Sequence, residues 1–164
     1  MILGMTPFTF VHVVLSLIGI ASGFVVVFGL LRSQHRGAWT AIFLASTVAT
    51  SLTGFALPFD RFSQSHWFGV MSLAALAAAI SALYFFRLAG AWRRIYAIGV
   101  VIALYLNAAV LLAQAFRKIP ALHALAPTES EPAFAIAQGL LLVAFVVIGI
   151  ATARALRGGP PLTA

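Results

Sequence analysis

Apolar residues run almost unbroken through five stretches of this chain, and basic, prolyl or small polar residues close each one. The hydrocarbon core of a bilayer, about 30 Å thick, takes about 20 helical residues to cross. The first run, Phe8 to Leu31, follows the uncharged start MILGMTPFT. It is too long for a signal-peptide core and has neither a basic leader nor a clear cleavage site, so it is expected to remain as a span. The polar break Arg32-Ser33-Gln34-His35-Arg36-Gly37 leads to a second run, Trp39 to Leu57, which stops at Pro58, where a helix is commonly ended. A third span is predicted from His66 to Phe86, a fourth from Ile95 to Phe116 and a fifth from Phe134 to Ala153. The connection IPALHALAPTESEPA carries three prolines and two glutamates, which argue against a further span there. The fold class predicted is all-α: a single polytopic bundle of five transmembrane helices over residues 1–157, with a disordered tail at 158–164.

Composition agrees, with 63% hydrophobic residues, 8% charged residues and a mean hydropathy of +1.09 over 164 positions. No ordinary water-soluble domain is built this way, and five spans leave no room for a soluble catalytic domain. The net charge of +7 would suggest nucleic acid in a soluble protein, but here the basic residues sit at the ends of apolar runs, where they anchor helices and set topology. A nucleic-acid partner is therefore not expected; the lipid bilayer is. Arg32, Arg36, Arg87, Arg93, Arg94, Arg154 and Arg157 fall on one side, against Arg61, Arg117 and Lys118 on the other, a ratio of seven to three. The positive-inside rule then places the N-terminus outside and the C-terminus in the cytoplasm of a bacterial inner membrane. All three acids, Asp60, Glu129 and Glu131, lie on the outer side. The absence of cysteine removes disulfides, thiolate metal sites and thiol catalysis.

Polar side chains inside a bilayer are costly, so their placement carries information. His12, Ser16, Gly19 and Gly23 recur at helical spacing on the first span, and Thr47, Ser51, Gly54 and Pro58 on the second. His66 and Gly69 open the third, Tyr96, Ala103, Asn107 and Gln114 align on the fourth, and Gln138 stands in the outer half of the fifth. These groups gather in the outer half, which predicts a polar cavity open to the periplasm, with His12, Ser16, His66, Asn107, Gln114 and Gln138 as its lining. The loop from Ile119 to Pro132 is the candidate lid. The competing reading is that Asn107, Gln114 and Gln138 only hydrogen-bond between helices.

Two ligand chemistries suit the histidines. His12 and His66 lie on different helices at similar depth, as two axial imidazoles of a haem b would, with Arg61, Arg117 and Lys118 placed to meet propionates. A zinc or copper ion could instead draw on His12, His66 and His123, with Glu129 or Asp60. His35, beside two arginines, reads as a solvated loop residue. The small-xxx-small pattern at Gly19 and Gly23 permits close helix approach, either within the bundle or between copies or partner subunits, and the alanine-rich third span reads as the central helix. No carboxylate lies inside any span, which disfavours an ion-coupled pump, and no phosphate-binding loop or nucleophile elbow is present. The expected function is binding of haem, a metal ion or a small polar molecule; the alternative is a non-catalytic accessory subunit of a larger membrane complex.

The stretches SQHRGAW, LTGFALPFDRFSQSHWFGVMSL and LNAAVLLAQAFRKIPALHALAPTESEPAFAIAQ, which together hold 62 of the 164 residues, resemble small multi-helix inner-membrane proteins of alphaproteobacteria. The resemblance implies an inner-membrane helical bundle and assigns no activity, cofactor or residue role.

Overall fold

The computed structural model describes residues 6–35, 37–56 and 64–156. Among the described residues six α-helices follow in order: α1 Pro7–Leu31, α2 Gly37–Phe55, α3 Gln64–Ile80, α4 Trp92–Lys118, the short α5 Pro120–His123 and α6 Pro132–Ala155. No strand occurs among the described residues, and five of the helices are long and apolar enough to cross a membrane. A helix stands within a few residues of each predicted span, and the helix ends follow local chemistry. The Thr6 hydroxyl accepts the Thr9 N–H at 3.2 Å and Pro7 opens α1; Pro120 and Pro132 open α5 and α6, where a missing N–H costs nothing. The third span ends in a π-helical turn, Ser81–Phe85, and Phe86 stacks on Trp92 at 3.6 Å to close the corner into α4. Pro58, Asp60, Arg61 and the tail at 158–164 lie outside the described residues.

The central helix is α4, not the alanine-rich third span. It packs on α1, α3 and α6, and Tyr96, Ala97, Val100, Ala103 and Leu104 are all fully buried. Small residues in α3 do serve close approach, but on one face only. A Cβ on Gly99 would stand 2.8 Å from the Ala75 carbonyl oxygen and 3.1 Å from Ala79 Cβ, so α3 and α4 meet nearly backbone to backbone. Gly19 and Gly23 perform the same task between α1, α2 and α4. A Cβ on Gly19 would meet Thr47 Oγ1 at 2.9 Å, and one on Gly23 would meet Leu104 Cδ1 at 2.7 Å. That small-residue face is thus occupied within the chain.

The innermost side chains Leu30, Phe43, Leu76, Tyr96 and Leu104 fill the half of the bundle where α1 and α6 end and α2 and α4 begin. That end is fixed by Thr40 to Tyr96, hydroxyl to hydroxyl at 3.1 Å, and by Ser33 Oγ donating to the Ala155 carbonyl at 3.1 Å. It also carries Arg32, Arg87, Arg93, Arg94 and Arg154, while Arg117, Lys118, Glu129 and Glu131 lie at the other end. His35 is not a solvated loop residue: its ring is half-buried, packs edge-on against Tyr96 at 6.1 Å, and has a buried Nδ1 with no hydrogen-bond partner. α6 is the outlying helix. Ile136, Leu140, Val143 and Val147, spaced one turn apart, are 61%, 67%, 61% and 59% exposed and form a continuous apolar stripe facing away from the bundle.

Candidate functional site

A polar pocket of about 110 Å³ opens among α1, α2, α3 and α4, in the half of the bundle away from the arginine-rich end. The glycine approach of α1 makes it possible. Gly19 and Gly23 stand against α2 and α4, and the residues one and two turns earlier, Ser16 and His12, line the pocket. The hydroxyl of Ser16 donates to Asn107 Oδ1 at 2.8 Å, and Asn107 Nδ2 returns to the Ser16 carbonyl at 3.4 Å. Asn107 is 8% exposed, so this pair satisfies an amide that would otherwise be stranded in an apolar interior. From α2 and α3, Ser51 Oγ donates to Ser72 Oγ at 3.1 Å.

His12 is oriented by Thr53. The Thr53 hydroxyl donates to the carbonyls of Ala49 at 2.7 Å and Thr50 at 3.2 Å, so its single proton is engaged. The 2.9 Å contact between His12 Nδ1 and Thr53 Oγ1 therefore has the imidazole Nδ1–H as donor, and this network assigns the Nδ1–H tautomer. Nε2 is left with the lone pair, as the atom that takes a proton, a metal or a ligand N–H. His66 also lines the pocket, its ring 5.7 Å from Phe55, and Gly69 lets α3 lie close to that same phenyl ring.

Two lining hydroxyls, Thr47 Oγ1 and Thr50 Oγ1, are buried with no hydrogen-bond partner. Thr47 and Thr50 stand three residues apart on one face of α2, followed by Ser51 and Gly54, so little more than one turn of the helix presents three hydroxyl side chains to one space. At the mouth, Arg117 lines the pocket and forms a two-pronged ion pair with Glu129, with Arg117 Nη2 donating to Glu129 Oε2 at 3.0 Å. Glu129 holds a left-handed backbone, φ +60°, while doing so. The connection that reads as a lid is therefore folded: α5 turns within it and one ion pair ties it to the pocket rim. Glu131 accepts from the Thr128 N–H at 3.2 Å and the Ser130 N–H at 3.1 Å. Burial pushes this carboxyl up, but the hydrogen bonds from Thr128 and Ser130 outweigh it and hold Glu131 below the usual carboxylate range.

Of the predicted lining, His12, Ser16, His66, Asn107 and Gln114 come together in the pocket. Gln138 does not. Its Nε2 donates to the Ala109 carbonyl at 3.1 Å, tying α6 to α4. His123 is exposed on α5 and is absent from the lining, and no group of three or more His, Asp or Glu side chains able to hold a metal ion exists among the described residues. Thr50, Ser72 and Thr53 were not anticipated. Thr50 was legible as the residue one turn from Thr47 and Gly54, whereas nothing in the sequence joins Thr53 to His12. No family model matches this chain, and no curated protein or solved structure shows significant similarity to it.

Proposed function

We propose that this protein binds a small polar molecule within a membrane, in the pocket walled by His12, Ser16, Thr47, Thr50, Asn107 and Gln114. The observation that carries the reading is the pair of buried, unpartnered hydroxyls at Thr47 and Thr50. A buried hydroxyl left unpaired costs about 1–3 kcal/mol, and side chains of a bundle made only for packing would not direct two of them at one cavity. What fills the pocket completes them: water in the resting protein, the polar groups of the ligand in the occupied one. A volume near 110 Å³ holds the equivalent of about three or four waters at about 30 Å³ each. That is below the roughly 300 Å³ at which pockets for drug-sized molecules begin, and it favours a small ligand over haem. With the arginine-rich end in the cytoplasm of a bacterial inner membrane, as the positive-inside rule directs, the chain runs from an outer N-terminus to an inner C-terminus and the pocket opens to the periplasm.

Thr47→Val separates binding from packing. Replacing the hydroxyl by a methyl of the same shape removes a group that water pairs in the resting pocket, so the stability of the unliganded protein should change by less than about 1 kcal/mol. Any solute that stabilises the wild type, from a panel of amino acids, polyols, short carboxylates and nucleobases, should bind the variant several-fold more weakly. Failure of every solute, together with lower stability of the variant, would leave these groups as interhelical packing. A Soret band in the purified protein that disappears in His12→Ala or His66→Ala would redirect the assignment to haem. A second reading, an accessory subunit, draws support from the exposed apolar stripe on α6. Gentle-detergent extraction followed by size analysis tests it, since a subunit should travel with its partners.

A further inference from the structure

A second recess lies elsewhere, on the outside of the bundle between α4 and α6. It is a trough of about 330 Å³ whose walls include Ile98, Val101 and Tyr105 from α4 and Val146, Gly149 and Ile150 from α6. The two helices run antiparallel, since Phe116 meets Phe134 at one end, Tyr105 meets Phe145 in the middle and Val101 meets Gly149 further on. Gly149 shapes the trough: a Cβ there would be 3.6 Å from Val101 Cγ1, ordinary contact, so the missing side chain leaves open space and not a tight backbone approach. From Ile98 to Tyr105 the trough extends about 10 Å at 1.5 Å per residue, about a third of the hydrocarbon thickness.

The charges at its mouth say what covers it. Arg94 stands one turn before Ile98 on α4, and Arg154 one turn after Ile150 on α6, so both helices carry an arginine to the same end of the trough. Both are exposed, and neither forms an ion pair among the described residues. The chain has only three acids; Glu129 and Glu131 are at the far end of the bundle, and Asp60 lies outside the described residues. Two cations stand at the end of an apolar channel, and no described residue supplies them a counter-charge. We infer that the trough is a binding site for an acidic phospholipid, with one acyl chain along Val101 and Gly149 and the phosphate held by Arg94 and Arg154. Guanidinium groups suit phosphate because they donate two parallel hydrogen bonds, and basic recesses between membrane helices take acidic headgroups for this reason. The inference rests on the helices spanning a bilayer and is independent of the polar pocket.

Native mass spectrometry of the full chain in mild detergent, with equal amounts of phosphatidylglycerol and phosphatidylcholine bearing identical acyl chains, tests it. The wild type should retain one phosphatidylglycerol in preference by about thirtyfold, the ratio that two basic side chains at an anionic surface amount to. Arg94→Gln with Arg154→Gln should reduce that preference to near unity while the helical circular dichroism is unchanged. Gly149→Leu, which fills the trough, should lose both lipids. Inorganic phosphate added in excess should not displace the lipid, because it brings no acyl chain. Equal retention of the two lipids by the wild type, or an undiminished preference in the double arginine variant, overturns the assignment.

Discussion

Gly99→Ala and Gly139→Ala are the same chemical change at interior positions of two helices, α4 and α6, and they should differ in sign. Alanine gains up to about 1 kcal/mol over glycine in a helix interior, and that gain is common to both. At Gly139 a Cβ would meet nothing within 4 Å, so the gain should stand alone. At Gly99 the Cβ would be 2.8 Å from the Ala75 carbonyl oxygen, a backbone atom that no side-chain rotation can move, and 3.1 Å from Ala79 Cβ. To reach ordinary contact at 3.4 Å, α3 and α4 must part by about 0.6 Å. A gap of that size forfeits a quarter to a half of the dispersion attraction across the interface, and overpacking of this kind costs about 1–3 kcal/mol. The difference between the two variants isolates that packing cost, since the propensity gain cancels. Unfolding by sodium dodecyl sulfate in mixed micelles, followed by far-ultraviolet circular dichroism, should give Gly99→Ala the lower midpoint, with a free-energy gap of about 1–3 kcal/mol. Coincident midpoints would refute the backbone contact between α3 and α4.

Three further outcomes follow from particular contacts. Burial pushes the His35 imidazole below its ordinary value, while in the unfolded chain it titrates near 6.5, so the unfolded state takes up the proton first as pH falls. Stability should therefore be full above about pH 6.5 and decline below it, and His35→Phe, which keeps a ring against Tyr96, should lessen the decline in denaturation midpoints measured from pH 7.5 to 5.5. Arg117→Gln removes the ion pair with Glu129; the arginine side chain is 59% exposed, so stability should change by less than about 1 kcal/mol, while deuterium uptake across residues 124–130 should rise severalfold. Unchanged uptake would mean that the ion pair does not hold the connection to the pocket rim. Asn107→Leu leaves the Ser16 hydroxyl without its acceptor and should cost about 0.6 kcal/mol, and at most about 1.7 kcal/mol, in the same micellar titration, the average and the maximum found for interhelical hydrogen bonds between membrane helices.

The five long apolar helices were legible because apolar runs of that length and their basic or prolyl ends are properties of the chain alone. So was much of the pocket: His12 and Ser16 share one face of α1 at helical spacing, and Asn107 and Gln114 one face of α4, whatever those faces meet. What they meet depends on helix rotation, and hydrophobicity does not report it, because an aliphatic side chain reads the same facing lipid or another helix. That is why the alanine-rich third span looked central although α4 is, and why Gln138, at the right depth, turned out to bind the Ala109 carbonyl. His35 shows the same limit in a loop, since its arginine neighbours suggest water while the fold turns its ring against Tyr96.

The two recesses share a wall. Asn107, Gln114 and Arg117 on one half of α4 face the polar pocket, while Ile98, Val101 and Tyr105 on the other half face the trough. Gly99 lies among the trough residues in sequence but points to α3, so the contact that seats α4 serves both sites. Thr47→Val should touch only the pocket, and the double arginine variant only the trough. Gly99→Ala, which displaces α4 itself, should weaken solute binding and lipid retention together in protein that remains helical. Loss of one without the other would mean that α4 does not act as a single rigid wall, and that the pocket keeps its shape through α1 and α2 alone, held by the close approach at Gly19 and Gly23.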